Sequence, residues 1–196
     1  MREFWISIRM TIVLTLLLGI VYPVVMTMTG HIFFPHQAEG SLIQRNNTIV
    51  GSELIGQNFA AAKYFHSRPS AAGNNGYDAT SSSGTNLGPT NKTLIDAVSK
   101  RVKDTSEAEG VPASQVPIDL VTSSGSGLDP DISPAAADIQ VQRVAKARGV
   151  SADTVRQLVQ DNTHGRWLGL FGEPGVNVLK LNLALDTAHE NISSSK

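Results

Sequence analysis

The chain has 196 residues, with 16 Lys and Arg against 17 Asp and Glu, for a formal net charge of −1. That length has room for one domain plus an anchor, and that balance provides no basic footprint for nucleic acid. No cysteine is present, which excludes disulfides and thiolate metal sites.

Met10 to Gly30 contains no charged residue. At ~1.5 Å rise per residue it spans roughly 31 Å, about one bilayer core. Thr29-Gly30-His31-Ile32-Phe33-Phe34 follows and makes a poor cleavage site, so residues 1–34 are expected to be an uncleaved membrane anchor. Arg2 and Arg9 precede the span, and the next Lys or Arg is Arg45. The positive-inside rule puts the N-terminus in the cytoplasm and residues 35–196 outside, as a soluble extracytoplasmic domain. Within the anchor, Thr11, Thr15, Gly19, Pro23 and Thr27 recur every four residues. Small residues on one ridge let another helix approach closely. Pro23 cannot donate to the Gly19 carbonyl and crowds that turn.

Ser41 to Gly51 reads as a hairpin turning at Asn46-Asn47. His66 to Asn91 is a long polar loop of Ser, Gly, Asn, Thr and Ala, and its composition favours disorder. Asn91 caps a helix to about Ala108, and Gly110 ends it. Ile118 to Thr122 reads as a short buried strand, followed by the loop Ser123–Gly127 and the turn at Asp129-Pro130. Ser133-Pro134 opens a helix that stops at Gly149, with Ala137, Val141, Val144 and Ala145 as its apolar face. Ala136, Gln140, Arg143 and Ala147 form a second line on it. Ser151 caps the next helix, set at an angle by the Gly149-Val150 joint. Trp167 to Pro174 is a glycine-punctuated loop. Val176 to Asp186 alternates, with Leu179, Leu181, Leu183 and Leu185 on one side, and reads as a half-buried strand. The polar tail from Thr187 is expected to fray.

Catalytic patterns are absent. The five histidines (31, 36, 66, 164 and 189) form no H-x-x-x-H pair, Ser126 lacks nucleophile-elbow spacing, and no Walker A is present. Asp129 and Asp131 read as turn and cap residues. The Ser123–Gly127 loop before a helix start is a place where backbone N–H groups meet an anion, or a plain connector.

Several short motifs occur together. They are Val21-Tyr22-Pro23; Gly40-Ser41-Leu42-Ile43; Leu54-Ile55-Gly56-Gln57-Asn58-Phe59; Tyr64-Phe65-His66-Ser67-Arg68-Pro69-Ser70-Ala71; Asn86-Leu87-Gly88-Pro89-Thr90-Asn91; Val121 to Pro134; Arg143-Val144-Ala145-Lys146-Ala147-Arg148; and Val176-Asn177-Val178 with Leu181-Asn182-Leu183-Ala184-Leu185-Asp186. In order and number they resemble the C-subunit family of the bacterial Kdp potassium-transporting ATPase. Gly175 and Thr85 are mild departures from that pattern.

The resemblance implies an α+β fold class: a single N-terminal transmembrane helix followed by one mixed α+β extracytoplasmic domain. It implies a non-catalytic subunit of an ATP-driven potassium importer, described as a catalytic chaperone that raises the ATP affinity of the hydrolysing subunit. The implied partners are a channel-like potassium-binding subunit, a P-type ATP-hydrolysing subunit, a small single-helix subunit and the membrane. ATP and potassium belong to the complex, and no cofactor or metal is assigned to this chain alone. Gln140 matches the glutamine tied to nucleotide. Docking candidates are Gly19 and Pro23 in the anchor and Arg68, Asn86 and Arg143 in the domain. The implied order makes the 66–91 loop a patterned surface. The charge bias places Gln140 away from cytoplasmic ATP, so any effect on ATP is expected to pass through the membrane helices. The alternative is an independent membrane-anchored extracytoplasmic enzyme or ligand-binding module that uses the Ser123–Gly127 loop.

Overall fold

A computed structural model describes residues 1–194, with side chains described through residue 188. The chain divides into two compact units, Met1–Ser52 and Glu53 onward.

In the first unit, α1 (Arg2–Leu16), a π-helical turn (Leu17–Val21) and α2 (Tyr22–Phe33) form one 32-residue helical run. It is long and apolar enough to cross a membrane, and none of its residues is buried. The π turn ends at Val21, two residues before Pro23. Proline offers no N–H to Gly19 and its ring crowds that carbonyl, and widening the turn relieves the clash. Gly19 has open space where a Cβ would stand. Thr29 Oγ1 donates to the Val25 carbonyl at 2.7 Å, so this polar side chain is satisfied within its own helix. A short α3 (Pro35–Ala38) leads into the hairpin of β1 (Leu42–Arg45) and β2 (Thr48–Ser52). Its turn residues Asn46 and Asn47 have φ of 51° and 62°, the left-handed region asparagine tolerates.

In the second unit, α4 (Lys92–Glu109) starts at Asn91, whose Oδ1 accepts from the Thr93 N–H at 2.9 Å. The expected strand at Ile118 to Thr122 is instead a 3-10 turn over Ile118–Leu120, and Ile118 is 74% exposed. Pro117 pre-sets the entry to that turn, while Thr122 Oγ1 donates back to the Ile118 carbonyl. Among the described residues this segment pairs with no strand. β3 (Asp131–Ile132) precedes α5 (Pro134–Arg148), which Ser133 caps and Gly149 ends at φ 67°. α6 (Ala152–Asp161) follows its own cap, Ser151.

β4 (Thr163–His164) and β3 flank the central β5 (Gly175–Asn177), all antiparallel. The chain then turns into α7 (Val178–Ser194), which corrects the strand expected over Val176 to Asp186. Asn177 Oδ1 accepts from the Lys180 N–H at 3.0 Å, a cap that starts the helix. Val178, Leu181, Asn182 and Leu185 are buried at i, i+3, i+4 and i+7. The leucines read as alternating because they also satisfy a period of two. Leu, Lys and Ala are strong helix formers, and helical pairing prevails. Residues 187–194 of the tail expected to fray lie within α7, and its side chains from His189 onward are outside the described residues. α5, α6, α7 and the small sheet close a core of Phe65, Ile132, Val141, Val144, Val155, Val176 and Leu181.

Candidate functional site

Residues 62–66 run between α5 and α7 without pairing in any sheet, so their backbone groups need other partners. Side chains supply them. Gln140 of α5 accepts from the His66 N–H at 2.7 Å and donates to the His66 carbonyl at 3.2 Å. Asn182 of α7 does the same for Phe65, at 2.8 and 3.0 Å. Arg143 Nη1 donates to the Ala62 and Tyr64 carbonyls at 2.6 and 2.9 Å, and Arg148 Nε to Lys63 at 2.7 Å. Five successive carbonyls thus each accept from a side chain of α5 or α7. A side-chain amide carries a donor and an acceptor spaced like a peptide group, which is why Gln and Asn stand at the two reciprocal pairs.

Gln140 is fully buried, and its amide is saturated. Nε2 also donates to the Ala136 carbonyl at 3.1 Å, and Oε1 also accepts from Arg143 Nη2 at 2.7 Å. Arg143 reaches α4 through Glu109, with Nε to Oε1 at 2.8 Å. Arg148 pairs with Asp186 at 2.8 Å, which accepts from the Tyr64 hydroxyl at 3.1 Å.

A cleft of about 550 Å³ opens beside this network, lined among others by His66, Arg68, Tyr77, Arg101, Glu109 and Gln140. Arg68 is tied to Asp129 at 2.7 Å, and Arg101 donates to the Val121 carbonyl at 3.2 Å. Among the described residues, three buried atoms on lining residues have no protein partner: His66 Nε2, Arg68 Nε and Glu109 Oε2. Burial holds the His66 imidazole below its ordinary pKa; the Arg143 cation adds to this, and a hydrogen bond to the Ala61 carbonyl opposes it. Burial pushes the Glu109 carboxyl up against the pull of Arg143. Burial also raises the Tyr77 phenol. Among the described residues no group of His, Asp and Glu is placed to hold a metal ion.

The polar stretch 66–91 has neither helix nor strand, yet it is held down. Ser70 Oγ donates to the Gly127 carbonyl and accepts from the Ala72 and Tyr77 N–H groups. The Ser83 N–H reaches the Ser126 carbonyl at 2.9 Å. The Ser123–Gly127 loop is its seat, and in that loop the Gly127 and Leu128 N–H groups are taken by the Ser124 and Ser126 hydroxyls.

The structure brings Gln140, Arg143 and Arg68 to one neighbourhood around the cleft. Asn86 is exposed at φ 54° and does not line it, and Gly19 and Pro23 belong to the other unit. Sequence reasoning missed Asn182, Arg148, Glu109 and His66 as members of the network. The available signal was Asn182, an amide in the middle of a leucine run.

The features together define a class: an apolar helix able to span a membrane, joined to a small α+β domain organised around a buried side-chain clamp. The chain belongs to the KdpC family, since the family model described as K+-transporting ATPase, c chain, matches residues 4–187. Among curated relatives, the potassium-transporting ATPase KdpC subunit of Acidobacterium capsulatum is 53% identical over 96% of this chain and 100% of its own length. That of Gemmatimonas aurantiaca is 55% identical over 92% of this chain and 90% of its own. That of Mycobacterium bovis is 52% identical over 94% and 98%.

Proposed function

We propose that this chain is the accessory C subunit of an ATP-driven potassium importer, anchored by Arg2–Phe33 with its domain outside the cytoplasmic membrane. Its partners are a channel-like potassium-binding subunit, the P-type subunit that hydrolyses ATP and a small single-helix subunit. It stabilises the complex and acts as a catalytic chaperone, raising the ATP affinity of the hydrolysing subunit through the membrane helices. It does so without touching nucleotide. Family membership supports the subunit role, and Arg2 and Arg9 before the apolar span support the orientation. One observation carries the indirect effect on ATP: both donors and both acceptor positions of Gln140 are engaged inside the domain.

Purification of the tagged chain in mild detergent tests the subunit role. Potassium-stimulated ATPase activity in the eluate is the expected result, and recovery of the chain alone refutes it. Sidedness is tested at Ser114, which is exposed in a chain with no cysteine. Ser114→Cys is expected to react with a membrane-impermeant thiol reagent without opening the cytoplasmic membrane. Reaction only after opening refutes the orientation. A second reading, an independent anchored ligand-binding module, is favoured only by the three unpartnered buried atoms on residues that line the cleft.

A further inference from the structure

The loop joining β4 to β5 carries an uncharged, largely apolar tip, Trp167-Leu168-Gly169-Leu170-Phe171. Its four large side chains are 69, 71, 76 and 60% exposed, in chain order. The tip is built and held. The Trp167 N–H donates to the Phe171 carbonyl at 2.8 Å, and the Phe171 N–H returns to Trp167 at 3.0 Å. Leu168 and Gly169 turn the chain at φ 52° and 74°, and the two aromatic rings stand 5.8 Å apart. Below the tip, Arg166 Nη2 bridges both carboxylate oxygens of Glu173 at 2.8 Å. An apolar point above a charged collar is held in water by its own backbone, where a loop free to collapse would cover it.

We propose that this tip is an interfacial membrane anchor, inserted at the boundary of headgroups and acyl chains of the bilayer that α1 and α2 span. The proposal rests on that anchor helix and not on which side the domain lies. Phe33 and Glu53 are 20 residues apart, so full extension limits their separation to roughly 70 Å. The connection thus tethers the domain within that length of the membrane-spanning helix. Tryptophan, phenylalanine and leucine beside an arginine are the residue types that settle at such an interface. The only polar side-chain group of the tip is the Trp167 indole N–H, which a headgroup oxygen accepts without fixing a register. A bilayer accepts such a wedge without directional partners.

The chain has two tryptophans, Trp5 and Trp167. Trp5→Phe leaves Trp167 as the only indole. The full-length variant is placed in nanodiscs of phosphatidylcholine and phosphatidylglycerol, with and without lipid brominated near the headgroup end of its chains. A blue-shifted emission quenched roughly twofold by the brominated lipid is expected. Leu170→Asp in the same background is expected to return the emission to that of water and remove the quenching, with far-UV circular dichroism unchanged. Aqueous emission open to acrylamide in the first variant overturns the proposal. Protection from acrylamide without bromolipid quenching also overturns it, and assigns the tip to a protein contact. Equal quenching with and without Leu170→Asp overturns it as well. A chain that does not enter the nanodisc refutes the anchor helix and this proposal with it, whereas the first three outcomes leave the anchor standing.

Discussion

Gln140→Ala is the sharpest test of the clamp. The substitution removes the only described partners of the His66 N–H and carbonyl, at 2.7 and 3.2 Å. Each buried backbone group left unpaired costs about 1–3 kcal/mol. The Ala136 carbonyl retains its place in the helical ladder, and Arg143 retains Glu109, Ala62 and Tyr64. Water entering from the adjoining cleft offsets part of the loss. The expected destabilisation is thus about 2–4 kcal/mol. Gln142→Ala, on the exposed side of the same helix, is expected to stay within about 0.5 kcal/mol. Asn182 clamps the neighbouring residue, so Gln140→Ala and Asn182→Ala should fail to add, with a coupling of at least about 0.5 kcal/mol. Urea unfolding of the full chain in mild detergent, followed by far-UV circular dichroism, measures the parent chain, the three single variants and the double variant. If Gln140→Ala and Gln142→Ala unfold together, the clamp reasoning is wrong. If Gln140→Ala retains full stability yet weakens ATP binding in the assembled complex, Gln140 contacts nucleotide after all.

Three further outcomes are expected. Gly127 and Gly149 share φ 67°, so alanine at either pays about 1–2 kcal/mol for the left-handed conformation. Only at Gly127 would the new Cβ meet the Ser83 carbonyl oxygen at 2.5 Å and the Ala72 nitrogen at 2.8 Å, so Gly127→Ala should exceed Gly149→Ala by about 1–3 kcal/mol in denaturant midpoints. His66 has a lowered folded pKa, so its contribution is present above its unfolded value of 6.5 and is lost as pH falls through the folded value. His66→Gln should flatten the stability profile below that pH by at most about 1.4 kcal/mol per unit, the limit for one proton; parallel profiles for variant and wild type would refute it. Gly19→Leu should leave membrane insertion intact and lower recovery of partner subunits, and unchanged recovery counts against close helix approach there.

The elements legible in the sequence are those whose signals are local. Asn91, Ser133 and Ser151 each cap the helix expected of them, and Gly110 and Gly149 end theirs in the left-handed region. The Asn46-Asn47 turn fits the same rule. The apolar face of α5 was legible because Ala137, Val141, Val144 and Ala145 admit only a helical period. Two misreadings came from segments that fit two periods at once. Ile118 to Thr122 is short and rich in β-branched and apolar residues, and nothing in its composition reveals that it pairs with no strand among the described residues. Val178 to Leu185 satisfies both alternation and i, i+3, i+4, i+7, and the leucines alone cannot separate them.

Asn182 could have decided between the two readings of α7. As a strand residue it would have pointed away from the leucines into solvent, where any polar residue serves equally well. On a helix it shares the buried stripe with Val178, Leu181 and Leu185, and a buried amide requires a partner with both a donor and an acceptor. That requirement points to an unpaired backbone segment elsewhere in the chain. Gln140 makes the same demand from α5, as the only polar residue fully buried on that helix. Two buried amides on two helices require two peptide groups from one intervening stretch, and Phe65 and His66 provide them. The polar run that follows His66 then starts from a fixed point, with Ser70 and Gly127 as its next attachment. Its low apolar content argued for disorder only as long as hydrophobic burial was taken as the sole means of holding it. Hydrogen bonds to a loop of matching glycines and serines do the holding instead.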